Sequence, residues 1–197
     1  MRDDLKSWLE GDGEKVLRQI GIRTGQIILD FGCGSGNYSL PIAKIIGDGG
    51  KLFALDKNGS DLDKLLQRAR LEKLNNIEIV KTKGELTLPF KDEFFDVVIL
   101  YDVLHFYYFS FDERRDLLKE VRRVLKQDSF LSVYPEHMGL EEIKREIEDV
   151  NFYLESKYLK KLIHEDIYTK GYILNFKKRE QIGVRSQHLT YKRWLFI

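Results

Sequence analysis

Cysteine is nearly absent from this chain, charge of neither sign is in excess, and no apolar run is long. Each shortage excludes something. The single cysteine among 197 residues, Cys33, has no partner for an intrachain disulfide, a CxxC redox pair or a cysteine-based zinc site. Lys and Arg number 33 against 32 Asp and Glu, so no overall field draws the chain to nucleic acid or to an anionic membrane. The apolar runs, such as residues 97–100, are far too short to span a bilayer. The opening MRDDLKSWLEGDGEK carries acids and no continuous apolar region, so no secretory leader is expected and the cytoplasm is the expected compartment. Repeats and low-complexity tracts are missing too. What remains, 43% hydrophobic and 33% charged residues, is the composition of a globular protein with one domain and a substantial core.

Short apolar runs alternate with longer amphipathic ones. Residues 26–29, 51–55, 77–81, 96–100 and 130–134 read as buried strands. Helical spacing fills the intervals. Residues 61–75 align Leu62, Leu65, Leu66, Ala69 and Leu74, and residues 112–126 align Leu117, Leu118, Val121, Val124 and Leu125. Ser110 with Glu113 three residues on has the spacing of a capping box. Residues 140–150 form one more amphipathic helix, on Leu140, Ile143, Ile147 and Val150. Such alternation requires right-handed crossovers and a parallel sheet covered on both faces. The predicted fold is therefore α/β and doubly wound, a Rossmann-like, mostly parallel sheet. Residues 152–163 and 168–177 read as two more strands with no long helix between them, hence a C-terminal antiparallel hairpin. The domain is expected to span residues 1–177, followed by a basic and aromatic tail over 178–197 that is a helix, a docking arm or a frayed end.

Residues 28–40, ILDFGCGSGNYSL, place three glycines at alternate positions after an acid that closes the first strand. Ligands of open parallel sheets bind beyond the carboxyl ends of the strands, and glycine lets backbone approach a ligand closely. Spacing discriminates among the ligands. G-x-G-x-x-G would need glycine at 37, where Asn37 stands, and a P-loop would need a lysine after the last glycine. The remaining pattern is D-x-G-x-G-x-G. Its acid, Asp30, suits a cationic ligand and would repel a pyrophosphate.

At these residues the chain resembles the class I S-adenosylmethionine-dependent methyltransferases. Asp30 to Gly36 match the loop that wraps the cofactor's methionine part and ribose, and Asp56, ending the second strand in KLFALD, matches the acid that accepts both ribose hydroxyls. LPFKDEFFDVVILYDVLHF and LLKEVRRVLKQDSFLSVYPEH are similar to the family's fourth- and fifth-strand regions. The resemblance covers roughly residues 14–137 and lies nearest the small-molecule enzymes of the quinone-biosynthesis type. It implies S-adenosylmethionine as cofactor, with Asp30, Gly32, Cys33, Gly34, Gly36, Asp56, Lys57, Glu85 and Tyr101 as binding candidates. One departure stands out. Where the family carries a glycine–aspartate pair that holds the adenine amino group, this chain reads Lys81-Thr-Lys-Gly-Glu85, so Glu85 substitutes or backbone alone holds the adenine.

Methyl transfer from a sulfonium needs alignment first and, for some acceptors, a base. Tyr101, Asp102, His105, Glu136 and His137 follow the fourth and fifth strands, and His105 and His137 are the candidate bases. No metal site is expected, because the spacing of these groups matches no helical ligand motif. Cys33 is expected to be a small filler rather than a nucleophile. The run of aromatics from His105 to Phe111 walls an aromatic or apolar acceptor pocket, stacks bases or packs against the sheet, and packing is the commoner fate of such side chains. A small-molecule acceptor is favoured over RNA or protein, a membrane partner is not expected, and the oligomeric state is not legible. The alternatives are a methyltransferase of RNA or protein, drawing on the basic tail, and a domain that binds the cofactor or a partner without catalysis.

Overall fold

The computed structural model describes residues 2–180. The part of the tail from 181 onward, with every expectation attached to it, lies outside them. Seven strands form one sheet: β1 (Ile27–Phe31), β2 (Lys51–Asp56), β3 (Ile77–Lys81), β4 (Phe95–Tyr101), β5 (Leu125–Tyr134), β6 (Phe152–His164) and β7 (Ile167–Lys178). Their order is β3-β2-β1-β4-β5-β7-β6. The first five are parallel, β7 is antiparallel to β5, and β6 is antiparallel to β7. Strand order reverses between β1 and β4, which places a crevice at their carboxyl ends.

The helices preceding the first strand, α1 (Asp3–Ser7), a π-helical turn (Trp8–Asp12) and α2 (Gly13–Gln19), had no counterpart in the sequence reading. They are too short for periodicity to show, and Gly11 breaks them at φ 147°. Next come α3 (Ser39–Ile46), α4 (Gly59–Leu71), α5 (Phe111–Val124) and α6 (Leu140–Glu148). Asn58 caps α4 by accepting from the Ser60 amide, so this helix starts two residues ahead of its predicted start at 61. The Ser110–Glu113 capping box at the head of α5 is present in both directions. The strand β5 begins five residues before its predicted start at 130, directly where α5 ends.

Alternation along the strands divides the core. Val97, Ile99 and Tyr101 face the layer of α3, α4 and the N-terminal helices, whereas Val98 and Leu100 face α5 and α6. A bulge between Phe95 and Val97 lets Phe95 join the second face as well.

One feature of the last hairpin positions part of the site. β5 pairs with β7 only as far as Val133–Leu174, while β6 and β7 continue together to His164–Ile167. The hairpin therefore overhangs the carboxyl edge of the parallel sheet. Its tip is fastened there. Tyr38 Oη donates to the Ile163 carbonyl at 2.9 Å, Asn37 Nδ2 to Asp166 at 3.0 Å, and the Tyr168 amide to Asp4 at 2.9 Å.

Candidate active site

The loop after β1 lies against the end of β2. Gly32 and Cys33 donate their amides to the Leu55 carbonyl at 2.8 and 3.1 Å. The Gly34 amide donates to Asp56 Oδ2 at 2.8 Å, and the Asn58 amide to Asp56 Oδ1 at 2.8 Å. Asp56 thus holds the loops after β1 and β2 in register and stands at the wall of a cavity of about 440 Å³, within the range of small-ligand sites. The cavity runs from Phe31, Gly32 and Gly34 past Asp56, Lys57, Asn58 and Asp61 to Thr82, Gly84 and Glu85, and on to Tyr101, Asp102, Val103, Tyr108 and Phe109. A Cβ on Gly34 would meet nothing within 4 Å, so bare backbone borders the space. Four carboxylates against one lysine line it, a balance that favours a ligand with positive charge.

The nine binding candidates separate by position. Gly32, Gly34, Asp56, Lys57, Glu85 and Tyr101 line the cavity, and Asp30, Cys33 and Gly36 do not. Gly36 is a packing glycine. At φ 89° its Cβ would fall 2.3 Å from Leu65 Cδ1, so its bareness lets α4 close on the loop. Cys33 turns into the core, and burial pushes its thiol far above the usual range. Asp56, not Asp30, holds the loop amides: the Asp30 side chain is buried on the Ser39 hydroxyl and takes no loop amide. Glu85 accepts from Thr82 Oγ1 at 2.7 Å and the Lys83 amide at 2.8 Å, which hold its carboxyl below the usual range. It braces the loop at the cavity rim. Asn58, Asp61 and Thr82 were not singled out as binding residues, whereas Tyr108 and Phe109 belong to the aromatic run for which an acceptor-pocket wall was one reading. Asn58, Asp61 and Thr82 carry no signal beyond nearness in sequence to Asp56 or Glu85.

Burial raises the Asp30 carboxyl from 3.8 to about 7, opposed by the Ser39 hydrogen bond and helped by the charge of Asp56. The folded state therefore prefers the protonated acid. Its ionisation costs the fold nothing below the unfolded value of 3.8 and the full amount above about 7. That amount is about 4 kcal/mol. In paired urea melts of the unliganded proteins, Asp30→Asn is expected to gain on the wild type as pH rises from 4 to 8. A wild type that gains on the variant instead would mean that Asp30 is ionised and stabilising.

At the far end of the cavity the backbone of Asp102 has φ 57°, and its amide donates to the Tyr134 carbonyl at 2.8 Å. Its carboxylate lies 3.5 Å from His137 Nε2 and 3.2 Å from His164 Nδ1. Burial pushes its carboxyl above the usual carboxylate range, against the pull of the three nearby histidines. His105 is buried, which lowers its value, and its Nδ1 accepts from the Tyr107 amide at 3.2 Å. The proton of a neutral ring then sits on Nε2, which makes His105 a hydrogen-bond donor at this edge. The His105 and His137 rings are 5.2 Å apart, and so are those of His137 and His164. His164 went unnoticed in the sequence, which carries no signal for it, since its place here depends on the overhang of the hairpin.

The aromatic run corrects another expectation. Phe106, Tyr107 and Tyr108 are 62%, 74% and 58% exposed instead of packed on the sheet. The chain leaves β4 through the left-handed Asp102 and rises past the sheet edge, so His105 is buried, Phe109 is half-buried and Tyr108 borders the cavity while largely exposed. Arg114 of α5 holds the Phe109 carbonyl at 3.0 Å while pairing with Glu146 of α6 at 2.6 and 2.8 Å.

A family model described as a methyltransferase domain matches residues 29–133. The demethylmenaquinone methyltransferase of Lactobacillus johnsonii is 28% identical over 120 residues, 61% of this chain and 48% of that protein. The ubiquinone/menaquinone biosynthesis C-methyltransferase of Haemophilus ducreyi is 34% identical over 114 residues, 57% of this chain and 42% of that one. The chain spans about half the length of these curated relatives, or less. Among solved structures, a SAM-dependent methyltransferase from Methanosarcina mazei superposes with a TM-score of 0.69 at 21% identity, over 84% of this chain and 98% of that one. One from Aquifex aeolicus gives 0.66 at 23% identity, over 84% and 88%. At these identities the structural likeness shows the fold.

Proposed function

Since the chain belongs to the methyltransferase domain family, we propose that its cavity binds S-adenosylmethionine and that it methylates a small molecule. The observation that carries this reading is the Asp56 carboxylate, held at the cavity wall by the Gly34 and Asn58 amides at 2.8 Å each. The remaining lone pairs of a carboxylate so fixed suit two vicinal hydroxyls, which is what a ribose offers. Bare backbone at Gly34 and the acidic lining fit the rest of a cationic nucleoside. When bound, this cofactor supplies an activated methyl group on sulfur.

The chain's own residues then bind and orient. Asp56 takes the ribose. The 82–85 loop, braced internally by Glu85, borders the adenine with backbone and the Thr82 side chain. Asp30 sits one layer behind as a buried acid that a nearby cation would help to ionise. Val103, Tyr108 and Phe109 provide an apolar wall suited to an aromatic acceptor. Alignment of acceptor and methyl within such a wall is worth about 7–11 kcal/mol for a well-oriented pair. Of the two candidate bases, His137 beside Asp102 takes the role of base in this reading, and His105 orients through its Nε2–H. The relatives' names support a quinone-type small molecule as acceptor.

Calorimetric titration is expected to show one site for S-adenosylmethionine and one for its demethylated product. Labelled-methyl transfer onto pooled small molecules is expected to exceed transfer onto total RNA. Failure to bind either nucleoside sinks the reading.

A further inference from the structure

Three strands that run in the same direction deliver their ends to one place. Asp102 follows β4, His137 follows β5 by three residues, and His164 closes β6, which is parallel to β5 because two antiparallel steps separate them. One ligand-type atom from each lies within 4.8 Å of the others. Two protein atoms bound to a tetrahedral zinc at about 2.0–2.1 Å stand about 3.3–3.4 Å apart. Asp102 Oδ1 to His137 Nε2 at 3.5 Å and Asp102 Oδ2 to His164 Nδ1 at 3.2 Å are each close to that spacing, one from each carboxylate oxygen.

A second observation is independent of that geometry. Asp102 Oδ1 is buried and has no hydrogen-bond partner. Its distance of 3.5 Å from His137 Nε2 is too long for a good hydrogen bond. A buried carboxylate oxygen without a donor gives up its hydration with nothing in return, and a cation between the groups would offset that loss. The backbone of Asp102 is at φ 57°, a left-handed conformation that aspartate tolerates, and its amide donates to the Tyr134 carbonyl, which fixes the residue at this edge.

We propose that Asp102, His137 and His164 bind one first-row divalent transition-metal ion, of the zinc type, at the acceptor end of the cavity. Two imidazoles and one carboxylate form a donor set that such ions favour, and three protein ligands leave coordination positions for a water or for an oxygen or sulfur of the acceptor. Asp102 lines the cavity, so those positions adjoin the space in which an acceptor would lie. A coordinated hydroxyl or thiol loses its proton more easily than a free one, which would relieve His137 of acting as base. This site goes beyond the methyl-transfer reading and stands without the cofactor.

The test is titration of chelator-treated full-length protein with Co²⁺, read by visible absorption, and with Zn²⁺, read by calorimetry. One ion per chain and the strong d–d band of a low-coordinate cobalt site are expected. His164→Ala and Asp102→Asn are expected to weaken metal binding by roughly 100-fold or more. His164→Ala is also expected to keep the S-adenosylmethionine affinity of the wild type, which reports an intact fold in the same sample. His164→Gln repeats the test with a bulkier side chain. Absence of the cobalt band in the wild type, or equal metal affinity in the wild type and these variants, overturns the site. Loss of nucleoside binding with metal binding retained would instead remove only the methyl-transfer reading.

Discussion

Asp56→Ala is expected to reduce the affinity for S-adenosylmethionine by at least about 100-fold. A hydrogen bond to a charged group contributes about 1.5–3 kcal/mol, so losing two ribose contacts costs about 3–6 kcal/mol. The replacement also leaves the Gly34 and Asn58 amides without their acceptor. The loops after β1 and β2 would then lose the group that holds them in register. Asp56→Asn keeps one carbonyl oxygen and is expected to lose less, which separates the two contributions. Calorimetry of the three proteins, with circular dichroism to check that each is folded, decides the matter. Unchanged affinity in Asp56→Ala would end the ribose assignment.

Glu146→Ala is expected to destabilise the fold by about 3–5 kcal/mol, the range found when one member of a buried ion pair is removed. Arg114 and Glu146 side chains are only 6% and 8% exposed, so the stranded guanidinium would have little water to replace its partner. Glu146 holds the Arg114 guanidinium above its ordinary value through two hydrogen bonds. The same guanidinium fixes the Phe109 carbonyl, so the wall of the cavity loosens together with the helices. Urea melts measure the loss. The pair Arg114→Met with Glu146→Leu is expected to recover most of it, because no charge is then left buried. A loss below about 1 kcal/mol in the single variant would show that the pair behaves as a surface contact.

What the sequence made legible was whatever depends on neighbours in the chain. Strand–helix alternation, the capping box at Ser110 and the glycine loop with its acid are all local patterns, and each is present in the structure. The separate duties of the loop residues were not visible. Gly36 packs while Gly34 borders the cavity, a difference set by the approach of Leu65 from another helix. Arg114 and Glu146 are 32 residues apart, and nothing in either segment marks the other. His164 was hidden for a stronger reason, since its nearness to Asp102 depends on how far one hairpin extends beyond the strand it pairs with. The exposed aromatics were misread because composition reports the preference of a side chain and says nothing about where the backbone carries it.

The overhanging hairpin has a consequence for how the molecule opens. A two-stranded ribbon beyond the edge of its sheet is barely stable alone, and this one is held by Tyr38, Asn37 and the first helices. Those helices are in turn too short to persist in isolation. The N-terminal helices and the overhanging hairpin tip are therefore expected to open together ahead of the parallel strands, which hydrogen exchange would read as matched, weak protection in both. Such an opening would carry His164 away from Asp102, so the completeness of that corner is tied to the hairpin's fastening rather than to the core.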